Sequence, residues 1–244
     1  MPLLKPAGQP VNAWMALLIM LLAVELIPLV SFHTANLLDP LLSLSQWDAD
    51  GVFAWLGVHH LLQLLLSVVV MLVVFPRRLS AWGFNFHHWR TSLIIIVVFA
   101  VAFTILEYAY RVGQPYVTDF PQTHRNELGW QVFQYLISGL GEEPLFRGIV
   151  IVLLLAALSA SSLSPGLHYL LAVVVSTGLF MYAHLDVNWW SMSAPGYDFG
   201  QQTKALQMGV LCGAAFIYTR SLFAPIVLHG LSNGITASLG FYVV

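Results

Sequence analysis

Seven long apolar runs follow one another along the chain, separated by short stretches in which prolines, glycines and charged residues collect. Runs of this length predict helices that cross a bilayer, at residues 11–32, 52–75, 89–110, 128–158, 166–185, 205–219 and 222–243. The run 128–158 stands apart. A helix of that length measures about 46 Å, against a hydrocarbon core of about 30 Å. It is expected to tilt, to extend beyond the bilayer, or to break near Gly139-Leu140-Gly141 and Pro144, which would raise the count to eight. The fold class is therefore all-α, a polytopic membrane helix bundle of seven to eight transmembrane helices. About three of these spans fall in residues 1–127, and the rest in residues 128–244.

Composition agrees with the pattern. Of 244 residues, 59% are hydrophobic and 8% charged, with a mean hydropathy of +0.80. A soluble domain carries roughly a quarter charged residues. The length leaves no room for a second, soluble domain. A net charge of −2 with scattered basic residues gives no footprint for nucleic acid, so the expected partners are the lipid bilayer and whatever reaches a site within it. The one cysteine, Cys212, excludes an internal disulfide and reads as a small packing residue.

Orientation follows from charge. The loop between the second and third runs holds Arg77 and Arg78 and leads to Arg90, without an acid, so it is expected to face the cytoplasm. Lys5 agrees, because two spans return the chain to its starting side; the N-terminus is then cytoplasmic. The first run is too long for a signal-peptide core and lacks a small-residue cleavage site, so it reads as a retained span. Glu25 lies within it and Pro28 is expected to kink its far end. Asp39, Pro40, Asp48 and Asp50 read as a polar connection. His59 and His60 point about 100° apart on a helix, cannot chelate one metal from one face, and read as interfacial.

The candidate chemistry begins in Glu142-Glu143-Pro144-Leu145-Phe146-Arg147-Gly148. An ionisable group in hydrocarbon survives only when it is paired or faces a protein-lined cavity. Glu143 and Arg147 are four apart, where helical side chains meet, and are expected to pair. Glu142 points away and has no local partner. Phe180 and His184 share a face of the next helix, and His229 and Asn233 share a face of the last. Gly230, Ser232 and Gly234 beside them would let another helix approach closely. A glutamate and a histidine converging on one water can make a hydroxide-like nucleophile, and a second histidine with an asparagine amide can donate to an oxyanion. The same set equally suits a catalytic zinc, for which Glu142, His184 and His229 would be the holders. HExxH and Gly-x-Ser-x-Gly are both absent from the chain.

The ordered motifs EEPLFRG, FMYAH and HGLSN resemble those of the CAAX prenyl endopeptidase type II family, also called CPBP or Abi, of intramembrane proteases. Its pattern, Glu-Glu-x-x-x-Arg, then Phe-x-x-x-His, then His-x-x-x-Asn or Asp, is met at Glu142, Glu143, Arg147, Phe180, His184, His229 and Asn233. The resemblance spans about Trp130 to Gly240. It implies an active-site cavity within the bilayer and hydrolysis of a peptide bond in a membrane-associated protein or peptide. Glu142 and His184 would activate water, His229 and Asn233 would stabilise the oxyanion, and Glu143, Arg147 and Phe180 would give structural support. It implies a multi-pass protein, most simply of a prokaryotic plasma membrane. The family is labelled a metalloprotease family, yet a metal-free glutamate mechanism is also argued for it, and the metal-free version is preferred here, with no metal assigned. Two rivals stand beside this reading. One is a non-catalytic scaffold or bacteriocin self-immunity protein. The other is a proton-coupled transporter, which would more often show an internal repeat, and none is seen.

Simple span counting conflicts with these motifs. His184 would fall about 27 Å along its span and His229 about 10 Å along its own, at opposite faces. They meet only if span limits shift, helices tilt or a segment re-enters.

Overall fold

The hydrogen-bond demand of the chain is met almost wholly by helices. The computed structural model describes residues 12–74, 79–113, 118–185 and 198–242, and among these the regular structure is all helical. Helix α1 is Ala13–Leu42, α2 is Ala54–Val74 and α3 is Trp89–Arg111. A continuous helical segment, α4, then runs through His124–Val132, Phe133–Ser138, Gly139–Glu143, Pro144–Ile151 and Val152–Leu158. Helix α5 is Pro165–Ala183, α6 is Phe199–Thr219 and α7 is Phe223–Tyr242. Lys5, Pro76, Arg77, Arg78, Trp189, Trp190 and Tyr197, on which the orientation and the polar outer loop were read, lie outside the described residues.

Local sequence sets the helix starts. Asn12, Thr123, Ser164 and Asp198 each accept a backbone N–H of the first turn that follows, satisfying donors that a helix start leaves open. Asp48 does more. Its two carboxylate oxygens accept from Val52, Phe53 and Ala54 N–H at 2.8, 2.6 and 2.7 Å, so the acid read as part of a polar loop caps α2. The first helix is longer than expected. It runs through both Pro28 and Pro40, and Asp39 and Pro40 belong to it rather than to a loop.

Among the described residues four helices, α1, α2, α3 and α5, are long and apolar enough to cross a membrane. Along α3, Ile94, Val97, Val98, Val101, Ile105 and Leu106 are all exposed, a face suited to lipid. The chain is an integral membrane protein by these helices. The helices that carry Glu142, Lys204 and His229 fall outside that set. Helix α4 is the centre of the bundle: from Leu145 to Ala156 it is buried on every side. Helices α1, α2, α5, α6 and α7 all pack against it, so both halves of the chain share one core.

Of the outcomes open to the long segment, a break is not seen in α4. Phe133–Ser138 and Pro144–Ile151 are π-helical, on either side of the short α-helical piece Gly139–Glu143. Pro144 has no N–H to give, and the wider π turns that start at it accommodate the ring without ending the helix. Close packing then sets the neighbours. A Cβ placed on Gly141 would lie 2.6 Å from His60 Cβ and 2.8 Å from the His60 carbonyl oxygen, so only glycine lets α2 approach here. On α7, a Cβ on Gly230 would lie 2.2 Å from the Tyr135 carbonyl oxygen, as the run of small residues there predicted.

Candidate active site

Glu142 and Glu143 follow one another on α4 and therefore reach different neighbours. Glu143 is fully buried. Its Oε2 lies 3.1 Å from Arg147 Nε, the expected pair four residues apart, and its Oε1 accepts from His229 Nδ1 at 2.7 Å. Arg147, also fully buried, donates through Nη2 to the carbonyls of Met208 and Gly209 on α6, at 3.2 and 3.4 Å. Its guanidinium lies over the Phe180 ring, 4.7 Å from the centroid, a cation–π contact in a water-poor place. One carboxylate thus ties together α4, α6 and α7.

Glu142 is partly buried and, against the expectation that it lacked a partner, has one from an unexpected helix. His60 Nε2 on α2 lies 3.0 Å from its Oε1. Its Oε2 lies 3.8 Å from His229 Nε2, too far for a direct hydrogen bond. His60 is buried and belongs to this site, which corrects its reading as an interfacial residue. Its neighbour His59 is different. The His59 ring is edge-on to His60 at 5.3 Å, stacks on Trp55, and bonds with Ser31 Oγ through Nδ1 and with Gln63 through Nε2. Two adjacent histidines give one signal in a sequence, and nothing in their spacing separates the two roles.

His184 caps the end of α5. Its Nδ1 donates to the Phe180 carbonyl at 2.8 Å, and its own carbonyl accepts from Gln202 at 3.1 Å, which ties the end of α5 to α6. Phe180 stands between the two histidines, 4.5 Å from the His184 ring and 5.8 Å from the His229 ring, centroid to centroid. Asn233, one turn after His229, donates from its amide to Ser138 Oγ at 3.3 Å, which leaves the second amide hydrogen for another acceptor. Each of His60, His184 and His229 spends Nδ1–H on a carbonyl or carboxylate, and each turns Nε2 away from that bond.

These groups share one cavity of about 390 Å³. Glu142, His184, His229, Asn233 and Phe180 line it, as do His60 and Lys204. Glu25 lies elsewhere, beside Tyr182 in a separate cavity between α1 and α5. The clash foreseen from span counting is resolved by offset. His184 stands at the far end of α5 and His229 only two turns into α7, and both touch Phe180, so the two helices are not in register along the bundle.

Glu142, His184 and His229, the residues that would hold a metal, line one cavity. Among the described residues no three His, Cys, Asp or Glu side chains are gathered as ligands of one ion. Glu142 already spends Oε1 on His60.

The site gathers one carboxylate bonded to His60, three oriented imidazoles and an amide within an all-helical bundle. The family model described as Type II CAAX prenyl endopeptidase Rce1-like matches residues 124–235, and over that segment the chain is similar to this protease family. The segment contains every motif residue from Glu142 to Asn233. Neither the curated proteins nor the solved structures contain a match.

Proposed function

We propose that the protein is an intramembrane endopeptidase that hydrolyses a peptide bond of a membrane-associated protein or peptide. The observation that carries this reading is the convergence of Glu142, His184, His229 and Asn233 from three helices on a single cavity. Glu142 Oε2 takes a proton from water while His184 Nε2 orients it, and the oxygen attacks the scissile carbonyl. The electron pair of the C=O bond moves to oxygen, where the second amide hydrogen of Asn233 donates to it; His229, whose Nδ1–H is held by Glu143, donates from Nε2 in its doubly protonated form. Collapse of that intermediate breaks the C–N bond, and the leaving nitrogen takes the proton from Glu142, which restores the carboxylate. Glu143 and Arg147 hold His229 from behind, and Phe180 shields the guanidinium. The reading needs no metal. The charge of Lys5, Arg77, Arg78 and Arg90 favours an orientation with the N-terminus inside.

The test is cleavage of quenched fluorescent membrane peptides, prenylated and not, by the purified protein in lipid nanodiscs. Turnover by the wild type that disappears in Glu142→Ala is expected. Undiminished turnover in Glu142→Ala would overturn the mechanism.

A further inference from the structure

His60 lies between two acceptors. Its Nδ1 is 2.9 Å from the carbonyl oxygen of Leu56, one turn earlier on α2, and a carbonyl only accepts, so Nδ1 carries the hydrogen. Its Nε2 is 3.0 Å from Glu142 Oε1. A neutral imidazole that has spent its one hydrogen on Leu56 presents a lone pair at Nε2, and an ionised carboxylate presents another at Oε1. Two lone pairs do not hold each other at that distance. One further proton must lie between them, on either atom.

The surroundings leave this bond without competition on the His60 side. His59, edge-on at 5.3 Å, is committed to Ser31 and Gln63. Phe133 covers the His60 ring from α4, edge-on at 4.9 Å. The other ionisable groups around the pair stand on the Glu142 side: His229 on α7 with Glu143 behind it, His184 at the end of α5, and Lys204 on α6. Glu142 is therefore gripped through Oε1 by α2, and its Oε2 is left toward His229.

We propose that His60 is a positioning residue for Glu142: it shares one proton with that carboxylate, fixes Oε1, and thereby aims Oε2 at the reacting water. This rests on the reading of Glu142 as the base. It extends the working site beyond the 124–235 segment to a helix from the N-terminal part of the chain. With the shared proton on the imidazole side, Glu142 remains able to accept the proton of water through Oε2.

The experiment compares kcat and KM for wild type, His60→Leu, His60→Gln and Glu142→Gln, with thermal unfolding and size-exclusion profiles to establish that each is folded. His60→Leu is expected to lower kcat about 10- to 100-fold with little change in KM, as loss of a group that orients a reacting side chain does. His60→Gln places an amide nitrogen near the position of Nε2 and is expected to restore most of kcat. Wild-type kcat in His60→Leu, or no gain in a folded His60→Gln, overturns the positioning role. If His60→Leu does not fold, ¹⁵N-histidine NMR and infrared spectroscopy of the wild type decide. A proton on His60 Nε2, or a protonated carboxyl lost in Glu142→Gln, is expected; an unprotonated Nε2 beside an ionised Glu142 sinks the proposal. Absence of peptidase activity in the wild type would instead count against the endopeptidase reading, and the spectroscopic arm would still stand.

Discussion

Glu143 Oε1 meets His229 Nδ1 at 2.7 Å across two helices, so the carboxylate that pairs with Arg147 also sets the direction of a cavity histidine. Support and chemistry are joined at this contact. The imidazole cannot turn its Nδ1 toward the cavity without leaving Glu143 Oε1 buried and unpaired.

Arg147→Ala is expected to destabilise the protein by about 3–5 kcal/mol, since it leaves Glu143 buried with one charged partner removed. Yield of monodisperse protein and the unfolding midpoint measure this. A normally folded, fully active Arg147→Ala protein would contradict the account of the buried pair.

Glu142→Ala, His184→Ala and His229→Ala should each reduce kcat/KM by about 10²–10⁴ while the protein remains folded in the membrane. Asn233→Ala should cost about 10²–10³ in kcat, the effect of removing one oxyanion donor. Peptide cleavage by nanodisc-embedded variants checks both, with unfolding midpoints as the control.

Gly141→Ala introduces a Cβ against the backbone of His60 and should push α2 off α4. Overpacking of this kind costs about 1–3 kcal/mol. Activity should fall further than stability, because Glu142 loses its hold on His60. Cysteine crosslinking between α2 and α4 in the variant would report the displacement; unchanged crosslinking with full activity would refute it.

Chelator treatment of purified, active protein is expected to leave turnover intact, and elemental analysis to find less than one zinc per chain. One zinc per chain that leaves together with activity would overturn water activation by the protein's own side chains.

The sequence was legible where chemistry and hydrophobicity are local. Glu143 and Arg147, four apart, pair as helical spacing requires, and Phe180 with His184 and His229 with Asn233 each occupy one face of a helix. Pro144 misled. A proline within a long apolar run reads as a break, yet the π turns that begin there continue the helix, because neighbours packed on every side make its interruption costly. Asp48 misled in the same way, since a cap is visible only once the chain has turned.

What the sequence by itself determined is the all-helical architecture, the helices apolar enough for a membrane, and the residues Glu142, Glu143, Arg147, His184, His229 and Asn233 as the polar groups that lipid would not accept alone. These follow from one-dimensional quantities, namely run length, burial cost and helical repeat. Tertiary structure alone decided the pairing of His60 with Glu142, the second partner of Glu143 and the offset of α5 against α7. Each depends on which helix approaches which, and that is set by the missing side chains at Gly141 and Gly230 and by contacts between residues 80 or more positions apart.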